Sequence, residues 1–242
     1  MKITYNNVTI DFFNFRPMPK QVLMTLSGGL DSASLTYLIC KHFPQIEIIP
    51  FTAADCNFPK DLEAAQNVVD FMQKEFPQGN VCDLRIYNIN QEDRSIVPEE
   101  EIKKTKDKKK NWSDLALSSV SKTIQLNRVC QKIKAEYPKA IRCDAMTANP
   151  PIRVMQELEF YEIAERRRDA NQKQRQKQNK RLYKPYINVD KKFVADIYIQ
   201  NNLMSTLFPL TKSCVGKKEH TNNFEAECGT CFWCKEKAWA FD

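Results

Sequence analysis

The chain has 242 residues, 42% of them hydrophobic, which suits one large domain with a sizeable core. Its formal net charge of +7 comes from one segment, residues 166–181, where eight Lys or Arg stand against one Asp. We expect no signal peptide and no membrane span, because no basic start precedes an apolar run and no stretch of about 18 apolar residues occurs. Nine cysteines then favour a reducing, cytoplasmic setting, with thiols or metal ligands rather than disulfides.

Strands and helices alternate through the first part of the chain. Residues 2–15 alternate polar and apolar side chains, as one or two edge strands do, and Gln21–Leu26 is the apolar run of a buried parallel strand. Further strands are predicted at Ile46–Ala53, Asp83–Ile89 and Ala140–Ala148, and helices at Asp31–His42, Asp61–Phe76 and Asp114–Tyr137. This order predicts an α/β fold, a Rossmann-like parallel sheet with helices on both faces.

The pattern changes after Asn149. Residues 152–181 are helix-prone and basic, Phe193–Leu203 predicts a short helix, and the last 30 residues combine cysteines with little regular pattern. We therefore predict an α/β region over 1–150 and a second region over 151–242, which is helical, then cysteine-rich, and completes the same domain.

Two of the five glycines stand together in the stretch LSGGLDS, residues 26–32. The stretch follows the first buried strand and opens the first helix, where open α/β sheets bind ligands. Backbone N–H groups, the helix dipole and the Ser32 hydroxyl would suit a phosphate, and Asp31 would suit a Mg²⁺ shared with it. The simpler interpretation is a turn in which Ser27 or Asp31 caps the helix.

The full string resembles SGGxDS, the signature of the PP-loop ATP pyrophosphatase superfamily, with Leu30 in the variable position. The resemblance implies a fold like that of the adenine nucleotide alpha hydrolases and cleavage of ATP to AMP and pyrophosphate. It also implies that Phe51 and Thr52 contact adenine through their backbone. The implied ligands of the ATP phosphates are Ser27, Gly28, Gly29, Leu30, Asp31 and Ser32.

Four cysteines near the carboxyl end have the spacing C-x13-C-x2-C-x2-C, at Cys214, Cys228, Cys231 and Cys234. Four thiolates suit a tetrahedral Zn²⁺, and an iron–sulfur cluster is the rival interpretation because it also takes four cysteines. His220 could replace one ligand, but it stands in a Lys- and Glu-rich loop. The other cysteines are interpreted as core or surface thiols: Cys40, Cys56, Cys82, Cys130 and Cys143.

The loop together with LTKSC (210–214) and ECGTCFWCKEKAWAF (227–241) resembles the 7-cyano-7-deazaguanine synthase (QueC) family. That resemblance implies an ATP-dependent C–N ligase in queuosine biosynthesis. It would convert 7-carboxy-7-deazaguanine and ammonia to the nitrile preQ0 through a carboxyl-adenylate. Mg²⁺ would assist, and a structural Zn²⁺ would close the tail over the site. The implied catalytic residues are Asp31 and, as the cation, Lys191 or Lys192.

The middle of the chain departs from that family. The stretches KKKNWSDLALSSVSK (108–122) and AMTANPPIRV (145–154) stand where the family carries substrate-contacting motifs. A QueC-like enzyme acting on another substrate, in tRNA or DNA modification or in a multi-protein system, therefore stays open. Sulfur transfer would need Cys56 or Cys143 as nucleophile. Nucleic-acid contact through 166–181 is not favoured, because the segment has no aromatic residues. A homodimer is left open.

Overall fold

The computed structural model describes residues 1–14, 17–55, 59–89, 128–158, 182–216 and 218–242. Within them lie seven strands: β1 Lys2–Tyr5, β2 Val8–Asp11, β3 Gln21–Thr25, β4 Glu47–Asp55, β5 Arg85–Ile89, β6 Ile141–Cys143 and β7 Leu182–Tyr183. The helices are α1 Leu30–His42, α2 Pro59–Glu75, α3 at 128–136, α4 Ile152–Glu157, α5 Lys191–Gln200 and α6 Phe232–Phe241. Short 3-10 turns lie at Phe208–Leu210 and Lys218–His220.

The first two strands form a hairpin of their own. Asn6 and Asn7 both have positive φ, 46° and 56°, as a two-residue hairpin turn requires. β1 and β2 pair antiparallel with each other and make a separate two-stranded sheet. The prediction of strands was therefore correct, but they are not edge strands of the main sheet. Tyr5 packs edge-on against Phe193 of α5, 5.6 Å between ring centroids, which ties the hairpin to the domain.

The main sheet has five parallel strands in the order β5-β4-β3-β6-β7. The chain runs outward from β3 through α1 to β4 and through α2 to β5, and then returns to lay β6 and β7 on the other side of β3. The strand order therefore reverses beside β3. In open α/β sheets ligands bind at such a switch point, outside the carboxyl ends of the strands. Residues 26–29 lie at that point.

Helices cover both faces of this sheet, as the sequence predicted. On one face Val22, Met24 and Ile48 pack with buried residues of α1, α2 and α5. On the other face Leu23, Ile49 and Phe51 pack against Cys130 and Ile133 of α3. The alternation follows from the pleat, which sends successive side chains of a strand to opposite faces.

Three differences from the predicted elements bear on the site. β4 continues to Asp55, and β6 ends at Cys143 rather than Ala148. The carboxyl end, for which little regular structure was expected, contains the helix α6. Of the helix predicted over 114–137, residues 128–136 are helical, and residues 114–127 lie outside the described residues. Cys56 and the basic segment 166–181 lie outside them as well. None of the described helices is both long and apolar enough to cross a bilayer.

Candidate functional site

The two glycines of the loop have different reasons to be glycine. Gly28 has φ +75°, and a Cβ there would lie 2.7 Å from both the Ala64 Cβ and the Ala65 backbone N. The loop is therefore pressed against α2 and tolerates no side chain. A Cβ on Gly29 would make only ordinary contact, 3.4 Å from Ser27 Oγ and 3.5 Å from the Lys212 carbonyl oxygen. Gly29 is partly exposed, so a ligand can approach its backbone.

Weak hydrogen bonds hold the hydroxyl groups of the loop in place. Ser27 Oγ and Ser32 Oγ are 3.3 Å apart, and the Ser27 and Gly29 N–H groups donate to Ser32 Oγ and Ser27 Oγ at 3.3 and 3.4 Å. Gly29 is the N-cap of α1 and makes no side-chain cap bond. Neither Ser27 nor Asp31 is therefore the cap that the simpler interpretation required. Bonds of this length are readily exchanged for those to a phosphate oxygen, which the amino end of a helix also attracts.

Asp31 lies in a buried group of charges that joins three elements. Its Oδ2 accepts a hydrogen bond from Lys191 Nζ at 3.0 Å, and Lys191 Nζ is also 3.5 Å from Glu236 Oε2. The side chains of Lys191 and Glu236 are 2% and 0% exposed. Glu236 was missed by the sequence analysis, because in the run KEK it looks like an exposed helix residue.

The second carboxylate oxygen of Asp31, Oδ1, is suited to bind a cation. Asp31 Oδ1 is buried and accepts no hydrogen bond within the described part of the chain. A buried carboxylate oxygen without a donor is costly, and Mg²⁺ prefers carboxylate oxygens as ligands. The residues present thus fit the Mg²⁺ expected from the sequence.

The two lysines predicted as catalytic lie in different surroundings. Asp190 caps α5 by accepting from the Lys192 N–H at 3.0 Å, and this cap sets the direction of both side chains. Lys191 contacts Asp31 of the loop. Lys192 Nζ lies 5.2 Å from the centre of the Trp239 ring on α6. The structure therefore brings Lys191, rather than Lys192, to the loop.

The predicted adenine contacts, Phe51 and Thr52, are both buried within β4. The Phe51 carbonyl already accepts the Leu26 N–H at 2.9 Å, and Thr52 pairs in register with Ile86 of β5. β4 continues beyond the end of β3. Because backbone groups alternate between the two edges of a strand, the N–H and C=O groups of Ala53, two residues after Phe51, face the same side as the Phe51 carbonyl. Ala53 is partly exposed, and from this alternation we expect its backbone, together with that of Thr52, to be the part of β4 available to adenine.

A second polar group, also missed from sequence, lies on the other side of the loop. Asp144, which follows β6, accepts from Thr25 Oγ1 at 2.7 Å and from Arg142 Nε at 2.9 Å. Lys184, which follows β7, places its Nζ 3.7 Å from Asp144. Asp144 is nearly buried at 11% exposure, whereas Arg142 and Lys184 are 20% and 28% exposed. Asp144 therefore has two cationic partners, Arg142 within β6 and Lys184 just after β7.

The four predicted cysteine ligands come together in one cluster. All their sulfur atoms lie within 4.8 Å of one another, with Cys231 and Cys234 Sγ 3.4 Å apart and Cys228 and Cys234 Sγ 4.0 Å apart. Zn–S bonds of about 2.3 Å in a tetrahedron place sulfurs about 3.8 Å apart. In a four-iron cluster each thiolate binds a different iron, so the sulfurs stand further apart. The described geometry fits a single ion, and His220 is exposed and outside the cluster.

Backbone N–H groups donate hydrogen bonds to sulfur atoms of the cluster. Cys214 Sγ accepts the N–H groups of Gly216 and Cys228, both at 3.2 Å. Burial raises the pKa of Cys228, but hydrogen bonds from Thr230 and from the Cys231 N–H together lower it to about 6. Burial is the main cause that raises the pKa of Cys214 and of Cys234. These hydrogen bonds favour the thiolate form of Cys228, and a bound metal would stabilise thiolates at the cluster.

The remaining described cysteines do not contribute to either site. Cys40, Cys130 and Cys143 are buried, and Cys82 is partly exposed with its thiol 3.5 Å from Glu47. Burial raises the pKa of Cys143 well above its usual range. Cys143 is therefore unsuited to act as a nucleophile.

Comparison with known proteins finds distant likeness in structure alone. The U34-tRNA thiolase NcsA from Methanococcus maripaludis, solved with its iron–sulfur cluster, aligns over 94% of this chain and 67% of its own, with 15% identity and a TM-score of 0.47. The NMN synthetase from Francisella tularensis aligns over 81% of this chain and 66% of its own, with 13% identity and a TM-score of 0.46. No family model and no curated protein matches the sequence.

Proposed function

We propose that this chain is an ATP pyrophosphatase of the PP-loop type that adenylates the substrate it modifies. The observation that carries the proposal is the loop 26–32, whose signature residues lie at the carboxyl end of β3, beside the switch point of the sheet. The backbone of Gly29 is partly exposed, and Asp31 Oδ1 accepts no hydrogen bond among the described residues. A Walker-type lysine is absent from the loop sequence, which suits cleavage between the α- and β-phosphates better than γ-phosphoryl transfer.

The sheet order divides the site between two substrates. Adenine lies over β4, where it meets the backbone of Ala53, and the phosphates lie over the loop. The acid then lies over β6 and β7, where Arg142 and Lys184 offer positive charge to its carboxylate. Bound at Asp31, Mg²⁺ would neutralise charge on the polyphosphate, and Lys191 holds Asp31 in position through Oδ2.

The specific reaction we propose is nitrile formation from 7-carboxy-7-deazaguanine. A carboxylate oxygen attacks the α-phosphorus of ATP and pyrophosphate leaves, which gives the acyl-adenylate. Ammonia then attacks the acyl carbon, AMP departs with the C–O electron pair, and the amide forms after loss of a proton. The amide oxygen then attacks the α-phosphorus of a second ATP, pyrophosphate leaves and the nitrogen loses one proton. Loss of the second N–H proton with departure of AMP gives preQ0. The support is the resemblance of the loop and the cysteine segment to the QueC family.

Zinc is the metal we propose for the cysteine cluster. The cluster supplies four thiol sulfurs at separations that suit one tetrahedral ion, with no open position for a substrate. Such a site is structural. Metal analysis of the purified protein tests this: stoichiometric zinc supports it, whereas iron with acid-labile sulfide would replace it with a cluster.

The test of the function is a single incubation with ATP, Mg²⁺, ¹⁵N-ammonium and 7-carboxy-7-deazaguanine. We expect AMP, pyrophosphate and ¹⁵N-labelled preQ0 by mass spectrometry, and none of them from Asp31→Asn. AMP from other acids, but no preQ0 from this one, would leave the adenylation standing and overturn the substrate. No AMP from any acid of a panel would overturn both.

Another substrate class keeps some support, because the substrate-contacting motifs of the QueC family are missing between residues 108 and 154. Sulfur transfer to tRNA is the less favoured form of it. Cys143 is fully buried, so that reaction would depend on Cys56, which lies outside the described residues. Full activity of Cys56→Ser would exclude sulfur transfer through that thiol.

A further inference from the structure

The cysteine cluster is connected to the ATP loop through buried charges. Glu236 stands two residues after the ligand Cys234, on α6. Its carboxylate lies 3.5 Å from Lys191 Nζ, and the same ammonium group lies 3.0 Å from Asp31 Oδ2. Three groups that are far apart in sequence thus form one contact chain from the cysteines to the loop.

This chain of charges is stiff. Glu236 is 0% and Lys191 2% exposed, so neither can turn to solvent when the other moves. Separating buried opposite charges in a medium of low dielectric is costly. A displacement of α6 would therefore move Lys191 or break its contact with Glu236, and either change would disturb the hydrogen bond that orients Asp31.

The metal ligands determine where α6 begins. Cys231 is the N-cap of α6, and Cys234 lies in its first turn. A metal that holds both sulfurs thereby holds the start of the helix that carries Glu236. On the other side of the cluster, the Lys212 N–H donates to the Gly28 carbonyl at 2.9 Å, only two residues before Cys214. The segment is therefore connected to the loop at both ends, directly before Cys214 and through Lys191 after Cys234.

We propose that Glu236 is a positioning residue through which the metal-loaded cysteine cluster orients Asp31 for Mg–ATP. Metal at the cysteines and nucleotide at the loop then bind cooperatively, although no residue touches both ligands. The inference rests on the proposed function only in taking Mg–ATP as the ligand of the loop. Because binding linkage is reciprocal, each ligand raises the affinity for the other by the same factor.

The experiment measures binding of the uncleaved analogue α,β-methylene-ATP, with Mg²⁺, by titration calorimetry. Glu236→Gln keeps the shape of the side chain and removes its charge, and we expect about tenfold weaker binding at unchanged metal content. The matched control is Glu225→Gln, because Glu225 belongs to the same segment but pairs only at the surface with Lys60 among the described residues. We expect wild-type affinity from it, and partial recovery from Glu236→Asp.

Metal removal tests the same coupling without a substitution. Metal-free wild type should bind the analogue about as weakly as metal-loaded Glu236→Gln does. Metal-free Glu236→Gln should bind it only slightly more weakly still, because metal removal and the substitution interrupt the same coupling between the cysteines and Asp31. The saturating analogue should slow metal loss to a chelator in the wild type but not in Glu236→Gln. In turnover, Glu236→Gln should raise the KM for ATP and leave the KM for the acid unchanged.

The possible outcomes separate this inference from the proposed function. Equal analogue affinity in wild type with and without metal, or in wild type and Glu236→Gln, overturns the coupling while adenylation stands. No analogue binding by the metal-loaded wild type overturns the proposed function and the coupling together. If Glu236→Gln does not fold, Glu236→Asp and the stripped wild type decide the coupling.

Discussion

The loop 26–32 and the cysteine cluster reach their geometry by opposite means. Leu26 and Leu30, at the two ends of the loop, are 0% and 1% exposed, and Gly28 is pressed against α2. The loop is therefore shaped by the packing of the domain core. The described residues of 214–231 form turns, bends and one short 3-10 helix, and Val215 is 41% exposed. Four clustered sulfurs, rather than an apolar core, lie at the centre of that segment, so we expect its order to depend on a bound metal.

Metal removal should have the largest effect, and it should act on one region alone. Structural zinc contributes roughly 10 kcal/mol or more to the folding of small sites. We expect a chelator to abolish hydrogen-exchange protection in residues 214–234 while strands β3 and β4 stay protected. Cys228→Ser should do the same, and Cys82→Ser, outside the cluster, should not. Loss of protection across the sheet as well would show that the two regions fold as one unit.

Lys191→Met tests the contact between the regions. The substitution leaves Asp31 and Glu236 without the cation between them, which costs about 3–5 kcal/mol for a buried pair. Its neighbour provides the control, since Lys192 lies over the Trp239 ring and Lys192→Met should cost only about 0.5–1 kcal/mol. Urea denaturation measures both free energies of unfolding, and equal costs would contradict the buried position of Lys191.

Glycine substitutions compare the regions directly. Gly28→Ala adds a Cβ 2.7 Å from α2 atoms at positive φ, and should lower stability by roughly 2–5 kcal/mol. Gly229 has a similar φ of +68°, but no atom lies within 4 Å of its would-be Cβ. Gly229→Ala should therefore cost only about 1–2 kcal/mol, from the backbone alone. A thermal melt of the metal-loaded variants measures the difference.

The smallest effect is expected from the loop hydroxyl groups. Ser32→Ala removes a bond of 3.1 Å to the Gly29 carbonyl and should change stability by less than about 1 kcal/mol. It should weaken nucleotide binding several-fold, because the hydroxyl faces the phosphate site. Ser34→Ala removes a comparable bond, 2.9 Å to the Asp31 carbonyl, together with a 3.3 Å hydrogen bond between the buried Ser34 and Tyr186 hydroxyl groups. It should leave nucleotide affinity unchanged, and an equal loss in both variants would contradict the position of the phosphates.

Elements with a continuous local signal were predicted well. β3 and α1 were placed to within one residue, because an apolar run between Lys20 and Ser27 and a helical repeat before Phe43 leave little choice. β7 was missed, because two residues, Leu182 and Tyr183, carry no periodicity and form a strand only by pairing with β6.

The sequence by itself determined the order of strands and helices, the phosphate-type loop after the first buried strand, and the four cysteines whose spacing suits one metal. Each of these depends on residues close together in the chain. Only the tertiary structure decided that Lys191 rather than Lys192 reaches the loop, and that Glu236 on α6 lies within reach of the same ammonium group. Those contacts join residues far apart in the chain, so their partners become visible only when burial brings the charges together.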